Sequence, residues 1–510
     1  MSDAPRDPSD EALPDEGSKL DELIAARRAK VDQLREAGVE PYAFAFRPTD
    51  TLAEVAERHP ALEPGTETGE QVTVAGRVVA KRSMGRLHFL VLQEADAQLQ
   101  LFVPIKAVDE PSRDLLGQLD VGDWLGATGE VLATKTGELS VKPSQLTLLA
   151  KSLRPLPDKW HGLTDTEARF RQRELDLVVN ADARRVFTVR AKVLKALRAE
   201  LDERGFVEVE TPMLHPIPGG AAARPFVTHH NTLDTDLYLR IAPELYLKRL
   251  IAGGMNRVFE INRSFRNEGM STRHNPEFTM LESYEAYADY HDVMDLTEAL
   301  LQRASREAVG TLELTYGDRE VSLAGPFRRI PLLDLVREAT GRGELTYDDD
   351  LDTWRGVCDA HEVHHEDAWG VGKLALEVYE ALVEHTLWEP TFVTDYPIEV
   401  SPLARRHRDQ PHVTERFELI VAGREFGNAF SELIDPVDQR ERFEAQARAK
   451  AAGDHEAMPI DEPYLRAMEL GLPPTGGLGI GVDRLVMLLA DVHNIRDVIL
   501  FPTLRPESGV

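Results

Sequence analysis

Three stretches of this sequence combine charged and small residues in patterns that could handle phosphate, carboxylate and ammonium groups. The first is Phe265-Arg266-Asn267-Glu268, followed by Arg273-His274-Asn275-Pro276-Glu277-Phe278. The apolar alternation Val258-Phe259-Glu260-Ile261 precedes it, so the pattern predicts strand, polar loop, strand. An arginine at a strand end is fixed in direction, and its planar fork can hold a phosphate or carboxylate through two bonds. Glu268, two residues on, points to the same face, where a base amino group could be its ligand. Ordinary surface ion pairs are the competing use of the same residues.

The second stretch is Gly477-Leu478-Gly479-Ile480-Gly481-Val482-Asp483-Arg484, with an apolar run from Leu485 to Leu489. Alternate glycines let a strand approach another backbone or a ligand closely. The spacing is not that of a dinucleotide fingerprint. Arg484 opens a helix after that strand, where it could stack on a base or meet a phosphate. The third stretch runs from Phe417 to Glu432. Glu418 and Glu425 are hard oxygen donors that suit a metal bridging phosphates. Asn428, Phe430 and Glu432 alternate and so share a face if the segment is extended. Between Glu425 and Leu433 there are two acids and no base. A pocket there suits a cation, because a buried ammonium needs a carboxylate partner. A strand with a solvated acidic edge is the competing reading.

These groups need elements to hold them. Arg184 to Arg204 predicts an amphipathic helix with Val186, Val189, Val193, Leu197 and Leu201 on one face. Phe206 to Pro212 predicts an alternating strand that stops at proline. Residues 71–150 predict five short strands, enough for a small closed barrel of the OB type. Within it, 71–93 carries Arg77, Lys81, Arg82 and Arg86 and no acid. Phe89 lies in that run and Gln98 and Gln100 in the next strand, so the pair could stack and grip unpaired bases. Phe89 as barrel core is the alternative. Residues 18–37 predict a helix with Leu20, Leu23, Ile24, Val31 and Leu34 on one face and Gly38 as its cap. Arg27, Arg28, Lys30 and Arg35 lie on the other.

The expected organisation is a disordered acidic tail at 1–17, a helix and connector at 18–69, the barrel at 70–152, a hinge at 153–175 and a large catalytic region at 176–505. With 510 residues, two or three domains are expected. A single cysteine, Cys358, excludes a disulfide framework and a multi-cysteine zinc site, and fits a reducing cytoplasm. No membrane span or secretory leader is expected. The net charge of −29 argues against a protein that coats itself on nucleic acid, yet the basic run at 71–93 inverts the sign locally.

Together these stretches resemble the class II aminoacyl-tRNA synthetases. Phe206 to Pro212 with its preceding helix is similar to motif 1, Arg257 to Tyr287 to motif 2, and Gly477 to Leu489 to motif 3, in the family's order. Within the class, several segments resemble the bacterial lysyl enzymes: Pro218-Gly219-Gly220-Ala221, Ala242 to Lys248, Ser401 to Arg406, Phe430 to Leu433, Gly471 to Thr475 and Ile495 to Pro502. An aspartyl enzyme would need a basic group where Glu432 stands.

The resemblance implies an α+β fold: a five-stranded OB-fold barrel, then an antiparallel sheet flanked by helices. It implies a reaction in which lysine and ATP give lysyl-adenylate and pyrophosphate, and the lysyl group passes to the 3′-terminal ribose of tRNA(Lys). By motif position, Arg266 holds the α-phosphate and the amino-acid carboxylate, Glu268 faces the adenine amino group, and His274 faces the phosphates. Phe278 and Arg484 flank adenine, and Glu418 and Glu425 hold Mg2+. Around lysine, the resemblance places Gly220, Glu244 and Glu282 at the α-amino group and Asn428 at the carboxylate. Tyr284 and Glu432 meet the ε-ammonium, and Phe430 lines the stem. Arg82, Phe89 and Gln100 match anticodon-binding positions. A cytoplasmic homodimer joined through motif 1 is also implied. Two departures stand out: Gly476 in the motif 3 entry, and Glu285 after Tyr284, which could shift the pocket rim. Two relatives with other tasks are weighed against. One that modifies a protein would lack the barrel, and an inactive one would be expected to lose Arg266, Glu425 or Arg484.

Overall fold

A computed structural model describes residues 16–157, 165–221, 223–451 and 458–506. The chain divides into two compact units after Arg184. The acidic tail expected at 1–17 lies, up to residue 15, outside the described residues, as does the centre of the expected hinge at 158–164.

The first unit opens with a helix over Glu16–Glu36 that gives way to Gly38 at a φ of 76°, the left-handed conformation that favours glycine at a helix end. Val31 and Leu34 are buried, whereas Leu23 on the expected apolar face is exposed. The barrel strands are β1 (Glu67–Met84), β2 (Leu87–Glu94), β3 (Ala97–Pro104), β4 (Trp124–Ala133) and β5 (Leu139–Ala150). They close in the order β1-β2-β3-β5-β4, sealed by a parallel pairing of Gln100 and Leu101 with Ser140 and Val141. Alternate residues Val72, Val74, Leu90, Leu92, Leu99, Leu101 and Val103 turn inward and are buried, the period-two pattern of strands with one face on a core.

Four of the basic groups of the first helix and of the run at 71–93 are fastened within this unit. Arg27 donates to the carbonyls of Val121, Ser152 and Arg154, and Lys30 pairs with Asp120 at 2.6 Å. Lys81 donates to the Leu116 and Leu119 carbonyls at 2.7 Å each, and Arg77 donates to the Gly122 carbonyl and covers the Trp124 ring. Their long stems reach carbonyls at loop and helix ends, where a cation finds ready acceptors. Arg28, Arg35, Arg82 and Arg86 remain exposed.

Residues 176–184, expected with the catalytic region, group with the first unit. Gln93 donates to the Val178 carbonyl and Arg184 pairs with Asp96.

The second unit carries β6 (Val207–Glu208), β7 (Leu214–His215), β8 (Val227–His230), β9 (Thr235–Leu239), β10 (Arg257–Phe265), β11 (Glu277–Ala286), β12 (Glu313–Tyr316) and β13 (Arg319–Ser322). It continues with β14 (Arg328–Pro331), β15 (Thr391–Thr394), β16 (Arg416–Val421), β17 (Arg424–Ser431) and β18 (Thr475–Gly481). An eight-stranded sheet runs β14-β15-β16-β17-β18-β11-β10-β6. Its pairings are antiparallel except β6 with β10 and β14 with β15. The strand expected over Phe206 to Pro212 shrinks to two residues because Glu260 captures the backbone N–H and hydroxyl of Thr211.

One face of the sheet is apolar. Phe259, Leu281, Leu478, Ile480, Ala429 and Leu419 pack there against the helices over 185–203, Tyr290–Val309 and Val482–Ala490 in one core. Val186, Val189, Val193, Leu197 and Leu201 line the first of these helices, as the periodicity requires. The residues between those apolar positions are left to the other face, which holds the functional cleft.

Candidate active site

Cross-strand register assembles the cleft. Glu260, Glu282, Gly479, Asn428 and Glu418 stand opposite one another across β10, β11, β18, β17 and β16. The next row aligns Val258, Tyr284, Gly477, Phe430 and Arg416. The alternate glycines of β18 therefore remove side chains from the middle of the sheet, and a cleft of about 220 Å³ opens over them. Gly220, Glu244, Arg266, Glu268, His274, Phe278, Glu282, Tyr284, Glu425, Asn428, Phe430 and Arg484 all line it. Sequence reading placed these twelve residues apart in the chain; the fold brings them to one wall.

At one end the groups suit anions. Arg266 leaves β10 with its backbone N–H bonded to the Pro276 carbonyl, and its guanidinium lies 5.1 Å from the centre of the Phe278 ring. Its Nε is buried without a hydrogen-bond partner, so a ligand oxygen could satisfy it. His274 sits beside Ser271, and its pKa is lowered by partial enclosure and by the Arg484 guanidinium. Arg484 donates to the carbonyl of Glu425 and pairs with its carboxylate at 3.2 Å.

A bulge between Leu419 and Ile420 sets Glu425 opposite Ile420, on the same face as Glu418. Glu418 receives Tyr396 Oη at 3.0 Å and Arg416 at 2.7 Å. Burial, with Arg416 opposing it and Glu425 and Glu384 adding to it, still pushes its pKa up to about 7. Two carboxylates that repel each other and have hard oxygens fit a divalent cation. No larger cluster of three metal-ligating side chains occurs among the described residues.

At the other end the groups suit cations. Glu244, Glu282 and Glu432 are all buried. Tyr284 donates to Glu282 at 3.1 Å. Burial and the charge of Glu244 push the Glu282 pKa up to about 8. Gly220 has a φ of 89°, and a Cβ there would crowd Ala242 and Glu244 at 3.3 and 3.4 Å, so glycine is required on two counts. Glu432 does not line the cleft by its surface but reaches it past Gly477, where a Cβ would fall on its Oε1. Glu285, read as able to shift the pocket rim, points to the opposite side of β11 from Tyr284 and pairs with Arg257 at 2.6 Å.

Several supporting residues escaped the sequence reading. Asp483 accepts from the Thr279 N–H at 2.7 Å and pairs with Arg190 at 2.6 Å, tying motif 3 to motif 2 and the long helix. Arg240 pairs with Glu260 at 2.6 Å and donates to the Arg263 carbonyl, fixing the end of β10. Arg416 also donates to Asn428. Lys248 is wholly buried among the acids. An arginine or lysine in a chain reads as exposed charge; only the tertiary fold buries these.

On the barrel, Arg82 stands opposite Phe89, and Phe89 opposite Phe102. The two phenyl rings lie 5.7 Å apart and are half-buried, so neither belongs to the barrel core. Gln100, two residues from Phe102 on the same face, donates to Ser140 at 2.9 Å. The three expected residues thus share one outer face, and Phe102 joins them.

Comparison with known proteins decides the family. The family model for tRNA synthetases class II (D, K and N) matches residues 165–505, and that for the OB-fold nucleic acid binding domain matches 72–149. The chain belongs to the class II tRNA synthetases. It is 51% identical over 493 residues to a lysine–tRNA ligase of Carboxydothermus hydrogenoformans, covering 97% of this chain and 100% of that one. It is 51% identical over 509 residues to one of Xanthomonas oryzae pv. oryzae, covering 99% of each, and 49% identical over 492 residues to one of Bacillus subtilis, covering 96% and 98%. The synthetase has, among its described residues, no helix long and apolar enough to cross a membrane.

Proposed function

We propose that this synthetase activates L-lysine with ATP to lysyl-adenylate and pyrophosphate, then transfers the lysyl group to the 3′-terminal adenosine of tRNA(Lys). The observation that carries this reading is the buried acid end of the cleft, Glu244, Glu282 and Glu432, set beside the cationic end of Arg266 and Arg484. An amino acid with two ammoniums and one carboxylate complements that polarity.

Arg266 takes the amino-acid carboxylate and the α-phosphate and offsets the charge that grows as the carboxylate attacks phosphorus. Asn428 assists at the carboxylate. Glu268 receives the adenine amino group, Phe278 and Arg484 sandwich the ring, and His274 donates to the phosphates. Gly220, Glu244 and Glu282 hold the α-ammonium, Phe430 lies along the aliphatic stem, and Tyr284 and Glu432 meet the ε-ammonium. Glu418 and Glu425 would hold Mg2+, which would supply positive charge to offset that of the phosphates. The protein's own part is alignment and charge neutralisation, with no side-chain nucleophile.

Arg82, Phe89 and Gln100 grip anticodon bases by stacking and hydrogen bonding. The working form is a cytoplasmic homodimer joined through motif 1, whose Val207 is half exposed in the single chain.

ATP–pyrophosphate exchange across the amino acids tests the reading. Exchange with lysine and none with aspartate or asparagine is expected, and the reverse pattern overturns it. Light scattering tests the dimer.

A further inference from the structure

The acid end of the cleft contains a cation of its own. Lys248, on the helix Glu244–Ala252, is fully buried. Its Nζ lies 2.6 Å from Glu244 Oε1 and in contact with Glu432 Oε2, between the rings of Phe430 at 5.3 Å and Tyr464 at 5.9 Å. Burial alone would push its pKa down, but Glu244 and Glu432 hold it above the ordinary lysine value. Glu432 Oε1 is buried with no hydrogen-bond partner and sits against Gly477, which lines the cleft, while Oε2, also buried, meets Lys248 as an ion pair. One oxygen of Glu432 is thus held against Lys248, and the other lies behind Gly477, a residue of the cleft lining.

The charges count. Among the described residues, the acids at this end are Glu244, Glu282 and Glu432, and the neighbouring Arg240 and Glu260 cancel each other. With a diamino acid bound and all three carboxylates ionised, three carboxylates less one ammonium leave two negative charges, the number that the ligand's two ammoniums match. Without Lys248 the same two ammoniums would face three carboxylates. Burial holds the Glu432 pKa well above the ordinary carboxylate value, and Lys248 is the group that opposes this most directly.

We propose that Lys248 is a positioning residue that sets specificity: it turns Glu432 Oε1 toward the cleft and trims the pocket to two negative charges, so that the site selects a diamino acid. This rests on the reading of the cleft as a lysine site and adds a residue that does not touch the substrate. A residue with only a packing role would affect all amino acids alike; a charge-setting one favours lysine over an analogue that lacks the ε-ammonium.

The test is Lys248→Met in pyrophosphate exchange, with lysine and with its analogue bearing an ε-hydroxyl in place of the ammonium. The expected result is a loss of preference for lysine over the analogue of about tenfold or more, with the KM for ATP within about twofold of the parent. Unchanged preference in a folded variant overturns the proposal, as does an equal rise in KM for all substrates. If Lys248→Met does not fold, Lys248→Gln takes its place with the same expectation. Failure of both to fold would make Lys248 an element of stability and also overturn it. The parent protein is the control for the underlying reading: no exchange with lysine there removes the function itself, whereas exchange with unaltered preference in the variant removes only the role of Lys248.

Discussion

Tyr284 and Gly477 face each other across β11 and β18, and the side chain that Gly477 lacks would occupy the place of the Glu432 carboxylate. A methyl group there would also meet the Tyr284 ring at 2.7 Å. Both contacts are with groups that the proposed reaction assigns to the ε-ammonium. Gly477→Ala should therefore raise the KM for lysine by about tenfold or more while moving the KM for ATP little, because the clash is confined to the cation end. Pyrophosphate exchange at varied lysine and ATP measures the split. Equal losses for both substrates would mean that the change distorts β18 as a whole.

Glu432→Gln keeps the shape of that end and removes its charge. The amide should weaken lysine by about a hundredfold and ATP hardly at all, since an ammonium in a buried site loses its counter-charge. Equilibrium binding of each ligand checks it, and comparable loss for both would count against the pocket.

Glu282 carries a pH dependence. With burial and Glu244 raising its pKa to about 8, it holds a proton near neutrality in the absence of ligand. The proposed contact with the α-ammonium needs the anion. The KM for lysine should thus fall as pH rises toward 8, by up to about tenfold per unit, and level off above it. The sign for stability is the opposite. A carboxyl that binds its proton more tightly when folded favours folding below its folded pKa, so the ligand-free protein should lose stability as pH climbs from about 4.5 to 8. Lysine should restore it. Thermal unfolding with and without lysine across this range would expose a wrong sign at once.

Asp483 holds motifs together at the edge of the cleft. It is 3% exposed as a side chain and serves both Arg190 and the Thr279 N–H. Asp483→Asn leaves Arg190 facing a neutral amide in a buried setting and should cost about 3 kcal/mol of stability. Chemical denaturation gives the number, and a loss below about 1 kcal/mol would show that Arg190 finds another partner.

Much of this arrangement was legible in the chain because its signals are local. The alternate glycines of β18, the two-residue spacing of Asn428, Phe430 and Glu432, and the run of strands at 71–150 each state a geometry within a few residues. Glu425 was legible as a partner of Glu418, but the device that turns it to the same face was not, because it is a bulge that no propensity marks. Arg77 and Lys81 were misjudged for a related reason. A basic residue on a strand reads as exposed charge, yet its stem is long enough to reach a carbonyl across the barrel end. Lys248 lay inside a quoted segment, and nothing in its neighbours announced that the helix would turn it inward onto acids from a distant strand.

Phe89 offers the cleanest separation of the two units' tasks. It is half-buried, 5.7 Å from Phe102, on the barrel face that also carries Arg82 and Gln100. Its removal exposes no core, since Leu90 and Leu101 fill the barrel from the other side. Phe89→Ala should weaken tRNA charging at limiting tRNA by about tenfold, the loss of one base-stacking platform of about 1–3 kcal/mol, while pyrophosphate exchange stays near the parent rate. Phe102→Ala should do the same more weakly if its ring supports Phe89 rather than a base. A matching fall in pyrophosphate exchange would place Phe89 in the scaffold instead, because adenylate formation needs no anticodon.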